Sequence, residues 1–440
     1  MRIQAGLTEA TPFLPPLDIR SFDELAPNQV ATTLAKAAGL KKSGIIHISA
    51  SRLREDKETG RKYIGGGGLA ETLRDQIPLE SSCGLRSSLY LPNAQSSYYP
   101  ICQKIFSQII GETDCCLLPS DIEEYTMTCA DLRPQLQKAL MQERPEIVIM
   151  HDFEFLPLIS AVPNSLIKIL HWHVDFPSNP SDSISVLMPY LKQFDVAIAA
   201  DKEIAGKLAS VIPNTRVISP SINPQTIKLS TPTSSDRKKI LEKLSIDYNR
   251  SILSQIGRIS NQKDPISVVN IFKRVRERFP GTQLVLAGMF NLPNEDFTLT
   301  LQELRKQIGQ DRDIHLITSP LEISPFSNDE FLAALYSSSD ILINMGKNEG
   351  FGLVMTEAMW HGNIVVAMDS PGARTQIDSG HNGFIISDLT QAVEKVGDIL
   401  REPDKFKDIK EHAKQSVRDR FLITNYMEEM IDLYKSLQKL

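Results

Sequence analysis

Short apolar runs recur along the chain, and longer amphipathic or polar segments separate them. In the first half these runs occupy residues 44–50, 145–150, 166–170 and 195–199. Short runs that are rich in Ile, Val and Leu and bounded by polar residues are typical of strands buried on both faces of a parallel sheet. The pattern therefore predicts a succession of alternating strands and helices.

The succession starts again after residues 219–224 and 230–236, two stretches rich in Pro, Ser and Thr that suit a linker between domains. A strand at 251–256, an amphipathic helix at 266–278 and a strand at 283–287 form one predicted strand–helix–strand unit, whose crossover is expected to be right-handed. Further strands are predicted at residues 314–317, 341–344, 364–367 and 383–386. The second half therefore predicts a second parallel sheet.

The length of the chain, 440 residues, indicates two domains, because a single hydrophobic core rarely grows beyond roughly 300 residues. We expect an α/β protein with two Rossmann-like parallel-sheet domains, residues 1–222 and 223–415. A C-terminal helix within residues 416–440 is predicted to pack back on the first domain. Because parallel sheets bind ligands at the carboxyl ends of their strands, two facing domains can enclose a substrate in an interdomain cleft.

The composition, 41% hydrophobic and 23% charged, is typical of a globular protein that buries real cores. The formal net charge of −6 disfavours a general nucleic-acid or membrane-surface binder, since phosphate polymers attract clustered positive charge. No apolar stretch has the length of a signal peptide or a transmembrane segment, so a cytoplasmic protein is expected. The odd number of cysteines, five, argues against a disulfide framework.

Two cations follow the predicted strand at 251–256. Arg258 leaves its carboxyl end, and Lys263 stands just before a helix whose start is marked by Asp264 and Pro265. An arginine fork and a lysine point charge at such a strand-to-helix crevice can neutralise a diphosphate. The alternative is a pair of solvated surface cations.

The stretch NEGFGLVMTEAM follows the predicted strand at 341–344. Glu349 falls in the loop, Gly350 and Gly352 allow close approach of backbone to a ligand, and a helix is predicted to begin near Leu353. The N-terminus of that helix supplies free N–H groups and partial positive charge. Glu357, eight positions after Glu349, would then accept hydrogen bonds from different hydroxyl groups of a polar ligand. The alternative places Glu357 on the helix surface.

A run of four glycines, residues 65–68, opens a predicted helix in the first domain. It formally fits a dinucleotide-binding pattern, but a long polar stretch separates it from the preceding strand and no acid follows at the ribose-binding spacing. A diphosphate or sugar that approaches bare backbone suits it better. A flexible surface loop is the alternative.

Polar side chains also follow two strands of the first domain. His151, Asp152 and Glu154 come after the strand at 145–150, and His173 and Asp175 come shortly after the strand at 166–170, with His171 directly after its end. Histidine and aspartate at this edge can hydrogen-bond sugar hydroxyls or a reacting oxygen. The alternative for each histidine is a structural residue whose hydrogen bonds are made within the protein, and a metal site is a further alternative.

Together these stretches resemble the retaining glycosyltransferases of family 4. The resemblance rests on GGGGLAE, HDFEFLPLI, HWHVDF, PSINP, QIGRISNQKDP and EGFGLVMTEAMWHGN. It covers the chain from about Gly44 to the C-terminal helix, and within the family it points to the trehalose-forming synthases. The resemblance implies the GT-B fold, in which two Rossmann-like domains face each other.

The resemblance also assigns roles by position. The residues it implicates in catalysis are His173, Arg258, Lys263 and Glu349. Those it implicates in donor binding are Gly67, Gly68, Arg258, Lys263, Glu349, Gly350, Phe351, Gly352, Leu353 and Glu357. Those it implicates in acceptor binding are Gly66, Asp152 and Asp175. Within these sets, the two cations would bind the diphosphate, Glu357 the ribose, and Glu349 the transferred sugar.

The implied reaction is transfer of a hexose, expected to be glucose, from a UDP-, ADP- or GDP-sugar to a small sugar or sugar-like acceptor, with retention of configuration and a trehalose-type product. The nucleotide sugar is a co-substrate, and neither a cofactor nor a metal is expected. The alternatives are a natural-product, sugar-phosphate or glycan acceptor, or a Rossmann oxidoreductase. The expected partners are small molecules, and a homodimer is left open.

Overall fold

The structure is a computed structural model that describes residues 7–8, 22, 27–38, 40, 43–50, 52–55, 62–65, 68–92, 94, 98–109, 117–176, 182–288, 295–347 and 349–438. The chain divides into two compact units. Unit 1 comprises Met1–Ser221 and Ile423–Leu440, and unit 2 comprises Ile222–Leu422. The return to unit 1 thus comes a few residues later than position 416, because the helix Lys407–Arg420 contributes Ile409 to the core of unit 2.

Unit 1 contains a seven-stranded sheet. Its strands are β1 (Leu7–Thr8), β2 (Gly44–Ile48), β5 (Arg86–Tyr90), β6 (Ile147–His151), β7 (Ile167–Trp172), β8 (Val196–Ala199) and β9 (Thr215–Val217). The order across the sheet is β1-β5-β2-β6-β7-β8-β9, and only the edge strand β1 runs antiparallel to its neighbour. A separate antiparallel pair consists of β3 (Arg52–Glu55) and β4 (Lys62–Gly65).

The helices of unit 1 are α1 (Pro27–Ala37), α2 (Gly68–Ser82), α3 (Tyr98–Ile109), α4 (Pro119–Glu143), α5 (Asp182–Leu191), α6 (Lys202–Ala209) and α16 (Ile423–Leu437). The C-terminal helix α16 packs on the sheet. Its Met427 and Met430 share one core cluster with Ile45, Ile149 and Ile169 of the central strands. This contact completes the core of unit 1 with the far end of the chain.

Unit 2 contains a six-stranded sheet that is parallel throughout. Its strands are β10 (Ser251–Ile256), β11 (Thr282–Ala287), β12 (Ile314–Ile317), β13 (Ile341–Asn344), β14 (Ile364–Met368) and β15 (Phe384–Ile386). Their order is β12-β11-β10-β13-β14-β15. Successive residues of β10 point to opposite faces, so Leu253 joins one core cluster and Ile252 the other. The sheet is therefore buried on both sides, as its apolar runs predicted.

The helices of unit 2 are α7 (Ser234–Lys243), α8 (Pro265–Arg276), α9 (Glu295–Ile308), α10 (Pro320–Ile323), α11 (Asn328–Tyr336), α12 (Leu353–His361), α13 (Pro371–Gln376), α14 (Leu389–Arg401) and α15 (Lys407–Arg420). Short 3₁₀ turns lie at Leu156–Ala161, Ile227–Leu229, Asn261–Lys263 and Pro403–Phe406. Among the described residues, no helix combines the length and the apolar character that crossing a membrane requires.

Each sheet has one point at which the chain reverses the direction in which it adds strands. In unit 1 this point lies between β2 and β6, and in unit 2 it lies between β10 and β13. The connections on either side of such a point leave the sheet in opposite directions and open a crevice at the carboxyl ends of the strands. The two switch points are where the physical rule places binding sites.

The packing of α16 gives a first prediction. Met430 is fully buried, whereas Met141 of α4 is 75% exposed. Met430→Ala should lower the free energy of unfolding of unit 1 by roughly 2–5 kcal/mol through lost burial and a residual cavity. Met141→Ala should change it by less than about 0.5 kcal/mol. Urea titrations of the two variants make the comparison, and equal effects would contradict the packing of α16.

Candidate functional site

The switch point of unit 2 brings together a lysine and a glutamate that are far apart in the sequence. Lys263 ends the 3₁₀ turn after β10, and Glu349 lies in the loop after β13. The ammonium group of Lys263 is hydrogen-bonded to Oε2 of Glu349, which is buried. Gln255 of β10 fixes the backbone beside it by donating to the carbonyl of Lys263 at 2.6 Å. The pairing therefore rests on rigid elements.

The loop from Glu349 to Gly352 is held by the helix α13. The N–H of Gly372 donates to the carbonyl of Glu349 at 2.8 Å, and the amide of Gln376 donates to the carbonyl of Phe351. A Cβ on Gly372 would collide with that same Phe351 carbonyl, so only glycine permits the contact. The fully buried Gln376 also accepts from Thr356 at 2.6 Å. These contacts set the loop before any ligand arrives.

The N-terminus of α12 lies in this loop. Gly352 has a φ of +79° and occupies the N-cap, and no side chain caps the helix. The first N–H groups of a helix have no acceptor within it, and they favour negative charge. Arg258 is exposed, with Nη2 3.3 Å from Oε1 of Gln262. A helix N-terminus and the cations Arg258 and Lys263 thus gather at one switch point, with Glu349 as an acceptor.

Glu357 belongs to a different hydrogen-bond group in the first turns of α12. Lys228 donates to its Oε1 at 2.7 Å, and the hydroxyl of Tyr336 donates to its Oε2 at 2.6 Å. All three side chains are buried. Glu357 is therefore not a helix-surface residue. Each carboxylate oxygen has a second lone pair, so the group retains capacity for further donors.

The sequence analysis missed both partners of Glu357. Lys228 lies between the two stretches taken for a linker, and Tyr336 lies at the end of α11. A lysine is rarely buried unless it is paired. Nothing local marks Lys228 as buried, because its partner is 129 residues away.

In unit 1 the switch point holds a line of four buried or half-buried side chains. Oε2 of Glu80 lies 2.9 Å from Nε2 of His47, and Nδ1 of His47 lies 3.0 Å from Nε2 of His151. Nδ1 of His151 in turn lies 3.0 Å from Nε2 of His173. The side chains come from α2, β2, the end of β6 and the residue after β7. We call these four residues the histidine chain.

The strand alternation explains this arrangement. His47 stands two residues after Ile45, and His151 stands two residues after Ile149. Residues two apart in a strand share a face, so both histidines lie on the face of the sheet that packs against the helix α16. The sequence analysis found His151 and His173 at the strand ends but missed His47 and Glu80. His47 interrupts an otherwise apolar strand, and this was the available indication.

Burial favours the neutral form of three rings in this region, those of His151, His171 and His173. It lowers the pKa of His173 to about 3 and lowers the pKa of His151 and His171 well below the usual value. Ring nitrogens of His151, His171 and His173 lie within 4.8 Å of one another, and Nδ1 of His171 is buried without a hydrogen-bond partner among the described residues. Three neutral imidazoles are chemically able to hold an ion such as Zn²⁺.

The acids beside the histidine chain are differently placed. Asp152 has a φ of +56°, and its Oδ1 accepts from the N–H of His173 at 2.6 Å. Burial raises the pKa of Asp152 and of Glu154, and Oε2 of Glu154 is buried without a partner among the described residues. Asp175 instead pairs with Lys207 at 3.2 Å.

The glycine run is described only in part. Gly65 ends β4 and Gly68 begins α2, whereas Gly66 and Gly67 lie outside the described residues.

The pair Asp311 and Asp313, which resembles a metal-binding motif, binds Arg276 and Arg250 in unit 2.

Two segments of the chain match family models. Residues 63–206 match the N-terminal domain of trehalose synthase, and residues 236–416 match the group 1 glycosyl transferases. The trehalose synthase of Pyrococcus horikoshii is 26% identical over 418 residues, which cover 94% of each chain. That of Rubrobacter xylanophilus is 25% identical over 91% of this chain and 92% of its own.

Solved structures share the architecture. An α,α-trehalose-6-phosphate synthase from Burkholderia multivorans superposes with a TM-score of 0.70 at 13% identity, over 91% of this chain and 99% of its own. Sucrose-phosphate synthase from Thermosynechococcus elongatus gives a TM-score of 0.65 at 16% identity, over 90% of this chain and 99% of its own. The fold is therefore GT-B, as the resemblance implied. The family matches and relatives together support a glycosyltransferase.

The left-handed backbone of Gly352 gives a second prediction. A Cβ there would lie 2.7 Å from Cγ of Glu349, whereas one on Gly380, with a similar φ of +88°, would meet nothing within 4 Å. Gly380→Ala should cost only the backbone strain, about 1–2 kcal/mol. Gly352→Ala should cost clearly more, because the Glu349 side chain must also move. Equal losses in the unfolding free energy of unit 2 would contradict the loop geometry.

The burial of Glu154 gives a third prediction. Its raised pKa means that folding favours the protonated acid, so its contribution is complete below its ordinary pKa of about 4.5 and is lost as pH rises above it. Glutamine stays neutral, so Glu154→Gln should gain stability relative to the unsubstituted protein between pH 4.5 and 8. The exposed Glu124→Gln is the control and should show no such trend. Denaturant titrations at several pH values measure the difference, and a flat difference for Glu154→Gln would contradict the prediction.

Proposed function

We propose that the protein is a retaining glycosyltransferase of family 4 that transfers glucose from a nucleotide diphosphate sugar to a small sugar acceptor, forming a trehalose-type disaccharide. The observation that carries the proposal is the contact between Lys263 and Glu349 at the switch point of unit 2, beside the uncapped N-terminus of α12. A cation, a carboxylate acceptor and free N–H groups match a diphosphate joined to a polyol.

The donor roles follow from charge and position. Arg258 and Lys263 bind the diphosphate, and the N-terminus of α12 adds backbone donors. Glu349 and the backbone of Gly350–Leu353 bind the sugar hydroxyls. Glu357 binds the ribose with the lone pairs that Lys228 and Tyr336 leave available. A structural neighbour from Anabaena, solved with UDP and glucose, agrees with this class of donor.

The acceptor roles fall on unit 1. Asp152, Asp175 and the Gly66–Gly68 backbone bind acceptor or donor groups, as the resemblance implies. His173 lies next to the reacting sugar, where a neutral ring serves as a hydrogen-bonding group and not as an acid, given its lowered pKa. The trehalose synthase relatives support a glucose acceptor, and a structural neighbour solved with glucose-6-phosphate supports a sugar phosphate as the second candidate.

The chemical demand of this reaction is on the leaving group. Departure of the nucleotide leaves negative charge on the diphosphate, which Arg258 and Lys263 stabilise as preorganised cations. The leaving phosphate then accepts the proton of the attacking hydroxyl on the same face of the sugar, which gives retention. A glycosidase-type nucleophile is unnecessary, and Glu349, paired with Lys263, acts as a hydrogen-bond acceptor.

The activity is tested by incubating the protein with UDP-, ADP- and GDP-glucose in turn, each with glucose, glucose 6-phosphate and an aglycone panel. Mass spectrometry detects the product, and NMR coupling constants give its anomeric configuration. A disaccharide from glucose with retained configuration is expected. An inverted product or absence of transfer with every donor would contradict the proposal, and binding of NAD in place of nucleoside diphosphates would favour an oxidoreductase.

The two cations give a fourth prediction. Arg258→Met and Lys263→Met should each raise the barrier by about 3 kcal/mol, on the order of a 100-fold loss of kcat, because preorganised charge at the leaving group is removed. Lys239→Met is the matched control, since Lys239 is an exposed lysine of the same unit. Steady-state kinetics make the comparison. Turnover unchanged in either cation variant would place that residue among the ordinary surface cations.

A further inference from the structure

Glu80, at one end of the histidine chain, sets the direction of the hydrogen bonds along it. Glu80 is fully buried in α2, and its two oxygens accept from four donors. These are the hydroxyl of Tyr434 at 2.6 Å, the amide of Gln76 at 2.8 Å, the hydroxyl of Ser87 at 2.7 Å and Nε2 of His47 at 2.9 Å. Three of these groups are hydroxyl or amide donors, and an ionised carboxylate has acceptor sites for all four.

The orientation of Gln76 supports this assignment. Its Oε1 accepts from the hydroxyl of Tyr426 at 2.8 Å, so its amide nitrogen is the atom that faces Glu80. Burial opposes the charge of Glu80, but the hydrogen bonds that it accepts favour the carboxylate, and the pKa of Glu80 is lowered. The carboxylate is therefore the fixed end of the chain.

The ionised carboxylate of Glu80 determines which nitrogen carries the proton in each ring in turn. His47 must carry its proton on Nε2 to donate to Glu80, so in a neutral ring Nδ1 is an acceptor. His151 must then donate from Nε2, which leaves its own Nδ1 as an acceptor. His173 must donate from Nε2 to that atom. Each neutral imidazole has one donor and one acceptor nitrogen, so no other neutral arrangement satisfies the three contacts.

We propose that Glu80, His47 and His151 are positioning residues that fix His173 in the Nε2–H tautomer and present its Nδ1 as a hydrogen-bond acceptor for a hydroxyl group of the sugar substrate. Nδ1 of His173 has no partner among the residues that the structure describes, and His173 is the partly exposed member of the chain. The choice of a sugar hydroxyl as ligand rests on the proposed function. The tautomer does not.

The groups that surround His47 and His151 include one carboxyl group. The titratable and charged groups around His47 and His151 are Glu80 from α2, Tyr426 and Tyr434 from α16, His171 from β7 and His173 after β7. The pKa of both tyrosines is raised well above its usual value by burial, so both remain neutral. Among these groups, Glu80 is the one that carries a carboxyl group.

The test reads the tautomer directly. Long-range ¹H–¹⁵N NMR of histidine-labelled protein at pH 8 distinguishes a protonated from an unprotonated ring nitrogen, and loss of a signal in His173→Asn assigns His173. A protonated Nε2 and an unprotonated Nδ1 are expected in the unsubstituted protein. A protonated Nδ1 or an equal mixture would overturn the proposal. This measurement needs no variant that perturbs the fold and no transferase activity.

Variants then test the remote action. His47→Leu removes the acceptor for His151, so both tautomers of His151 and His173 should become populated. His47→Gln restores one donor and one acceptor and should restore the single tautomer. Tyr434→Phe removes one donor to Glu80 without interrupting the chain and should leave the tautomer of His173 unchanged. A His173 signal that His47→Leu leaves unchanged in the folded protein would overturn the action of His47.

Kinetics link the tautomer to the substrate. His47→Leu should lower kcat in proportion to the fraction of His173 that stays in the Nε2–H tautomer, about twofold for an equal mixture, while the KM for the nucleotide sugar stays unchanged, and His47→Gln should recover most of the loss. A protein that shows the tautomer but no transfer would leave the chain intact and remove the proposed function. One equivalent of metal bound in protein purified without chelator would overturn the chain, because His151 and His173 would then be ligands of the ion.

Discussion

A charge removed from water has to be met by donors or by an opposite charge, and this constraint organises the interior of both units. Glu80 gathers groups from α2, β2, β5 and α16, which are the elements that close the core of unit 1. Glu357 gathers Lys228 and Tyr336 from two further parts of unit 2. Each carboxylate thereby fixes the orientation of side chains that a purely apolar core would leave interchangeable.

The strands could be predicted wherever burial on both faces produced a continuous apolar run. All six strands of the unit 2 sheet were found in this way. Arg86–Tyr90 was missed because its first residues are exposed and polar, and only its last three are buried. Thr215–Val217 was missed because it is a short edge strand with exposed residues. Both gain their conformation from pairing with a neighbour, which local sequence does not report.

The candidate site could be predicted only as far as residues follow the ends of strands. Arg258, Lys263, Glu349, Asp152 and His173 all do so, and the parallel sheet places them at the expected edge. The rule fails for side chains that act from within an element. His47 lies inside β2, Glu80 inside α2 and Lys228 in an apparent linker, and each takes its meaning from a partner distant in sequence. The pattern of polar and apolar positions along the chain does not reveal a partner that is distant in sequence.

The cost of these polar groups bears on why they are present. Well-packed apolar residues of similar volume are often as stable as a buried ionic network, so the histidine chain is not needed to hold the sheet together. Along the chain, burial disfavours a positive charge on His151 and His173, and a carboxylate stands at the inner end. These conditions favour neutral rings at His151 and His173, and in the proposed arrangement their protons are ordered in one direction. Such a network presents a defined hydrogen-bond acceptor at His173, which apolar packing cannot supply.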